Sequence, residues 1–237
     1  MNRFRLLSAA FVAISLASGS AALADTVNYA DITSSTGTLV TGTVSGIGFT
    51  ISGPTQFVNL SNTGQTNYFT DNGHVSPGTV YVGGNISNAA NDGGLVAIST
   101  AGASYTITFD SAVSNLVFSE VSLGNGGADV DYTFNQTFHV ETCGTGWWGG
   151  GCFDGEPVGT NSNTLAGIES SGSIEFGETF TSLSFTVGAN SENWNGFDIG
   201  IFQPAATPSS VPEPSSLALL GTGLIGLVGV ARRKLRS

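Results

Sequence analysis

The chain has 237 residues, a net charge of −11 and charged residues at only 10% of the total, with 34 glycines. All its cations sit at the ends: Arg3 and Arg5 open it, and Arg232, Arg233, Lys234 and Arg236 close it. A body without Lys or Arg excludes nucleic-acid binding, which needs cations to neutralise phosphates, and argues against enzymes that clamp a phosphate with Arg or Lys.

In chain order, residues 1–24 predict a secretory signal peptide. Arg3 and Arg5 supply the positive region, and residues 6–17 form an apolar run broken only by Ser8 and Ser15. Ala22-Leu23-Ala24 gives the small-x-small pattern for signal peptidase, which places the cut before Asp25.

Residues 25–204 read as one all-β domain. Tyr105, Ile107 and Phe109 alternate with threonines, as do Tyr132 and Phe134, Leu183, Phe185 and Val187, and Phe197, Ile199 and Ile201 with polar residues or glycine. A period of two with aromatic and β-branched content means half-buried antiparallel strands. Further strands are expected over 27–32, 38–44, 47–51, 55–60, 79–82, 95–98, 116–123, 138–142 and 174–180. Gly-rich turns such as Asn91-Asp92-Gly93-Gly94 and Asn125-Gly126-Gly127 separate them. Many short strands with such turns predict a two-sheet antiparallel β-sandwich of jelly-roll type.

Cys143 and Cys152 are the only cysteines and flank a glycine-rich stretch holding Trp147 and Trp148. On the exported side of a membrane they are expected to form a disulfide. A metal site would lack ligands, and a redox pair would use a shorter spacing. The two indoles have two readings: a stapled tip that stacks on pyranose rings, or side chains folded back to cap the domain. Trp194, between Asn193 and Asn195, is a second aromatic of the same kind.

No cofactor is expected. Asp92, Asp129 with Asp131, and Asp154 are weak candidates for a structural Ca²⁺, against a plainer reading as solvated turn carboxylates. Catalysis has little support: His74 and His139 belong to no motif, and no nucleophile elbow or phosphate loop is present. A polysaccharide hydrolase needs only two carboxylates at the right separation, and Glu120, Glu141, Glu169, Glu175 and Glu178 are raw material for one.

Residues 205–214 form a linker ending in Pro212-Glu213-Pro214. Residues 215–231 carry no charge and, at 1.5 Å per residue, would span about 25 Å as a helix. That is just short of a bilayer core, a shortfall that flanking arginines cover. The basic residues 232–237 predict a cytoplasmic tail. A Pro-Glu-Pro motif, one transmembrane helix and an end opening with Arg232, Arg233 and Lys234 together resemble the PEP-CTERM sorting signal of Gram-negative bacteria. The resemblance covers about residues 211–236. It implies recognition by an exosortase, cleavage near the motif, transient anchoring in the inner membrane, and export to the surface, often in bacteria that make exopolysaccharide. The leading expectation is therefore a non-catalytic cell-surface or matrix protein, with a carbohydrate-binding module second and a hydrolase third. A binder should expose aromatics near Trp147, Trp148 or Trp194 beside Asn or Asp; a purely structural protein should bury them.

Overall fold

A computed structural model describes residues 25–61, 63–70, 80–91, 93–190, 193–203 and Arg232. The signal peptide, Asp92, His74, the linker with Pro212, Glu213 and Pro214, the apolar segment 215–231, and Arg233 and Lys234 lie outside the described residues. Among the described residues no helix is long and apolar enough to cross a membrane.

The body is built from strands alone: β1 (Val27–Tyr29), β2 (Asp31–Ser35), β3 (Leu39–Val44), β4 (Ile47–Ser52), β5 (Phe57–Val58), β6 (Val96–Ile98) and β7 (Ser104–Val113). They are followed by β8 (Leu116–Leu123), β9 (Val130–Gly144), β10 (Asn161–Gly167), β11 (Ser170–Phe176), β12 (Phe180–Val187) and β13 (Asn195–Phe202). Each strand pairs antiparallel with its neighbours.

Where two packed sheets were expected, the strands join into one sheet, ordered β2-β3-β4-β7-β12-β9-β11-β8-β13-β6-β5, curled nearly into a barrel. Two corner segments do this. The N-terminal segment pairs first with β13 (Tyr29↔Gly200) and then with β3 (Ile32↔Gly42), so it stitches two distant edges together. Between them, the Ala30 N–H donates to the Ile199 carbonyl at 2.8 Å. The other corner is β9, long enough to serve both sides: Tyr132–Phe134 pair with β12, and Val140–Gly144 with β11. A register shift leaves Glu141 as an extra residue there, the local bend that a bulge introduces.

Period-two alternation puts Phe118, Tyr132, Phe134, Phe176, Phe185 and Phe197 inside, where their rings pack at 4.5–6.5 Å. Strand β8 is buried on both faces. Its inward residues Leu116 and Phe118 join the barrel core, while Val117 and Val121 face outward into a second cluster with Phe69, Val80, Tyr81 and Ile86. That second cluster explains one departure from the sequence reading. Residues 80–82 are not a strand; Val80 and Tyr81 are buried as plugs over the outer face of β8. Residues 131–142 form one strand instead of two, and 174–180 split between β11 and β12. Strand β10 (NSNTLAG) was not anticipated, because its first four residues are polar and its buried positions, Leu165 and Gly167, come only near its end.

Candidate functional site

The end of β8 and the loops after β8, β9, β10 and β12 supply the residues of one site. In the β9–β10 connection, Cys143 and Cys152 form the expected disulfide, with Cα atoms 4.7 Å apart, inside the usual range. Within the stapled loop, Gly146 and Gly149 exchange both backbone hydrogen bonds at 3.1 and 3.3 Å, making a tight turn with Trp147 and Trp148 at its tip. Gly149 and Gly150 hold φ of 99° and 70°, conformations costly for a residue with a Cβ. A Cβ at Gly146 would overlap the Ser171 side chain, and one at Gly150 the Glu169 carbonyl. These glycines let the loop lie against β11 and the β10–β11 turn.

The structure brings Trp147, Trp148 and Trp194 together around a residue the sequence did not single out, Tyr68. Trp148 stacks on Tyr68 at 5.4 Å, while Trp147 and Trp194 each meet its ring edgewise at 5.2 Å. Trp148 also meets Trp194 at 4.8 Å with the ring planes at 90°. The indoles differ in burial. Trp147 and Trp194 are half-buried against the outer core cluster, whereas Trp148 is 44% exposed.

Trp148 and Trp194 form two walls of a cleft of about 110 Å³ whose other walls are Ser122, Asn125, Glu169 and Asn193. This is well below the volume of a drug-sized pocket and suits a single ring with its substituents in solvent. Asn125 is fixed by its own turn: its side-chain oxygen accepts the Gly127 N–H at 2.9 Å, and its backbone pairs both ways with Ala128. Ser122 and Glu169 both adopt left-handed backbone, φ 60° and 56°, and the Ser122 hydroxyl donates to the Glu169 carboxylate. The Ser122 N–H is held in turn by Ser171 Oγ at 3.1 Å. Paired non-glycine residues in this region store of order 1–3 kcal/mol each and cluster where a surface is pre-organised for a ligand. The sequence offered Glu169 only as one of several glutamates for a hydrolase and did not single out Ser122: Ser122 ends β8, Glu169 sits in the β10–β11 turn, and only the fold brings them together.

Of the Ca²⁺ candidates, Asp129 and Asp154 come near one another. Burial pushes the Asp129 carboxyl above the usual range, and the charges of Asp154 and Asp131 add to that. Asp131 lies instead against Gly188. Among the described residues no group of three or more His, Cys, Asp and Glu side chains is arranged to hold a metal ion.

A separate acidic pair occupies the β9 bulge. Glu141 accepts the Asn85 N–H at 2.9 Å and lies 3.8 Å from His139 Nε2. Burial pushes Glu175 up, and the neighbouring Glu141, hydrogen-bonded to it, pushes the same way. Two carboxyls in direct hydrogen-bond contact sit closer than the roughly 5–9 Å separation of glycosidase pairs.

Residues 210–234 match the PEP-CTERM protein-sorting motif. The match covers the tail and stops short of the β-body. The motif implies an exported protein sorted at the membrane in Gram-negative bacteria and processed by an exosortase. No curated protein and no solved structure matches the chain.

Proposed function

We propose that this is an exported cell-surface or extracellular-matrix protein whose β-body binds extracellular polysaccharide, without catalysis, through the Trp148–Trp194 cleft. One observation carries the reading: two indoles at right angles, one of them exposed, open onto a cleft edged by Asn125, Asn193, Ser122 and Glu169. Indole surfaces suit the C–H faces of a pyranose ring. Amide, hydroxyl and carboxylate groups suit its hydroxyls, and the stapled loop and left-handed turns reduce the ordering cost of binding. Export supports the same reading, because it delivers the body to the compartment where such polymers lie. In this scheme signal peptidase frees Asp25, the 215–231 segment holds the chain transiently in the inner membrane, and exosortase acts near Pro212-Glu213-Pro214.

The test is binding to the producing organism's own extracellular polysaccharide, with Ca²⁺ and with chelator, beside a Trp148→Ala variant of confirmed fold. Saturable binding that the variant loses supports the proposal. Absence of binding in every condition overturns it and leaves a structural matrix role. Mass measurement of the surface form checks processing: loss of residues 1–24 and of the segment after the Pro-Glu-Pro motif is expected.

A further inference from the structure

Among the described residues no cation lies against the cleft's carboxylate, Glu169. Between Arg5 and Arg232 the chain has no Lys or Arg, and among the described residues the basic side chain placed against a carboxylate is His139, 3.8 Å from Glu141 on β9 and away from the cleft. Glu169 is nonetheless held in place with care. It takes left-handed backbone at the β10–β11 turn, it is braced by the Ser122 hydroxyl, and Gly150 packs against its carbonyl. The neighbouring cleft groups Ser122, Asn125 and Asn193 are neutral.

Resting on the glycan-binding reading above, we infer that the Trp148–Trp194 cleft selects saccharides carrying a free amino group and rejects uronates. A protonated amine on a ring stacked against the indoles supplies the missing counter-charge to Glu169 at contact distance. It also gains cation–π attraction from Trp148 and Trp194, which is strongest for tryptophan. A uronate would bring its carboxylate against Glu169 and into the field of a body whose described charges are almost wholly negative, where like charges repel. An N-acetylated sugar keeps the stacking and loses the ion pair. Its rank lies between the two.

The experiment measures binding of the full chain, purified in detergent, to β-1,4-glucosamine oligomers, the same oligomers fully N-acetylated, and galacturonate oligomers of equal length, at pH 6 where the amines are protonated. The expected order is amine over N-acetyl by about tenfold, with uronate weakest. The amine preference should shrink when salt is raised from 20 mM to 500 mM. In Glu169→Gln the amine-to-acetyl ratio should fall several-fold, to the remainder that cation–π attraction supplies, whatever the common affinity. Equal binding of amine and acetyl forms, tightest binding of uronate, or a preference undiminished in Glu169→Gln overturns the inference and leaves the glycan-binding reading standing. Failure of all three oligomers and of the producer's own polysaccharide to bind overturns that reading itself, and the inference with it.

Discussion

Trp194 and Asn195 are adjacent in the chain and serve opposite faces of the barrel wall. The Trp194 indole packs in the outer aromatic cluster, edge-on to Phe57 at 4.9 Å. The Asn195 side-chain oxygen accepts the Tyr132 hydroxyl inside the barrel, and the same hydroxyl lies 3.4 Å from Glu120. The backbone that presents Trp194 is thus anchored by a buried polar contact on the far side of the sheet.

Replacing Tyr132 by Phe removes that anchor and keeps the ring. Loss of a buried hydroxyl that serves two polar side chains should cost about 1–3 kcal/mol. Chemical denaturation should show a lower midpoint at unchanged slope, and glycan affinity should fall although Tyr132 is remote from the cleft.

Gly150→Ala should disturb the site more than its size implies. The position has φ of 70° and an added Cβ would overlap the Glu169 carbonyl, so a loss of about 1–3 kcal/mol is expected. Gly151→Ala is the control, since a Cβ there meets nothing within 4 Å. Thermal unfolding should separate the two variants, and binding should weaken only in the first.

Reducing the Cys143–Cys152 disulfide, or replacing both residues by Ser, should lower stability by about 2.7 kcal/mol on the chain-entropy estimate for a short loop. The larger effect is expected on ligand binding, because the staple restrains the turn that presents Trp148. Calorimetry with and without reductant should show a more unfavourable binding entropy in the reduced form.

The stability of the body should fall as pH rises. Asp198 is fully buried on β13, with its Oδ1 accepting the Ile199 N–H at 2.7 Å. Burial raises its carboxyl well above the usual range; the hydrogen bonds from Ile199 and Ala30 oppose this and the charge of Asp31 adds to it. Asp129, Glu156 and Glu175 shift in the same direction, chiefly from burial. A raised folded-state value means the native protein keeps a proton that the unfolded chain has released. The stability is therefore complete below the ordinary carboxylate range and is lost as pH climbs toward the folded value, at up to about 1.4 kcal/mol per pH unit for the fully buried Asp198 and less for the other, more solvent-screened groups. Urea midpoints should be higher at pH 4.5 than at pH 7.5, and Asp198→Asn should flatten that slope with its gain largest at the higher pH.

The strands were legible because alternation is local: Tyr105, Ile107 and Phe109 declare their buried face within five residues. Closure of the sheet was not, because Val27–Tyr29 shows no sign of pairing with β13 at the far end of the body. The site divides in the same way. Trp148 and the disulfide can be read from one short glycine-rich stretch. Tyr68 and Ser122 cannot, and Glu169 shows only as one glutamate among several, since only the fold brings them beside it. The neutral pattern of Asn161–Gly167 hid β10 for a related reason: its register comes from β9 more than from its own side chains.

The pairing of Val27–Tyr29 with Gly200–Phe202 also sets an order of events as the chain is synthesised. The first strand to be made borders the last. Hairpins such as β3–β4 can form as soon as both their strands exist, but the nearly closed sheet cannot complete that seam until the chain has been made as far as Phe202. Contacts of such sequence separation form slowly. Until then the edge of β13 that receives Val27–Tyr29 stands open to a strand from another molecule.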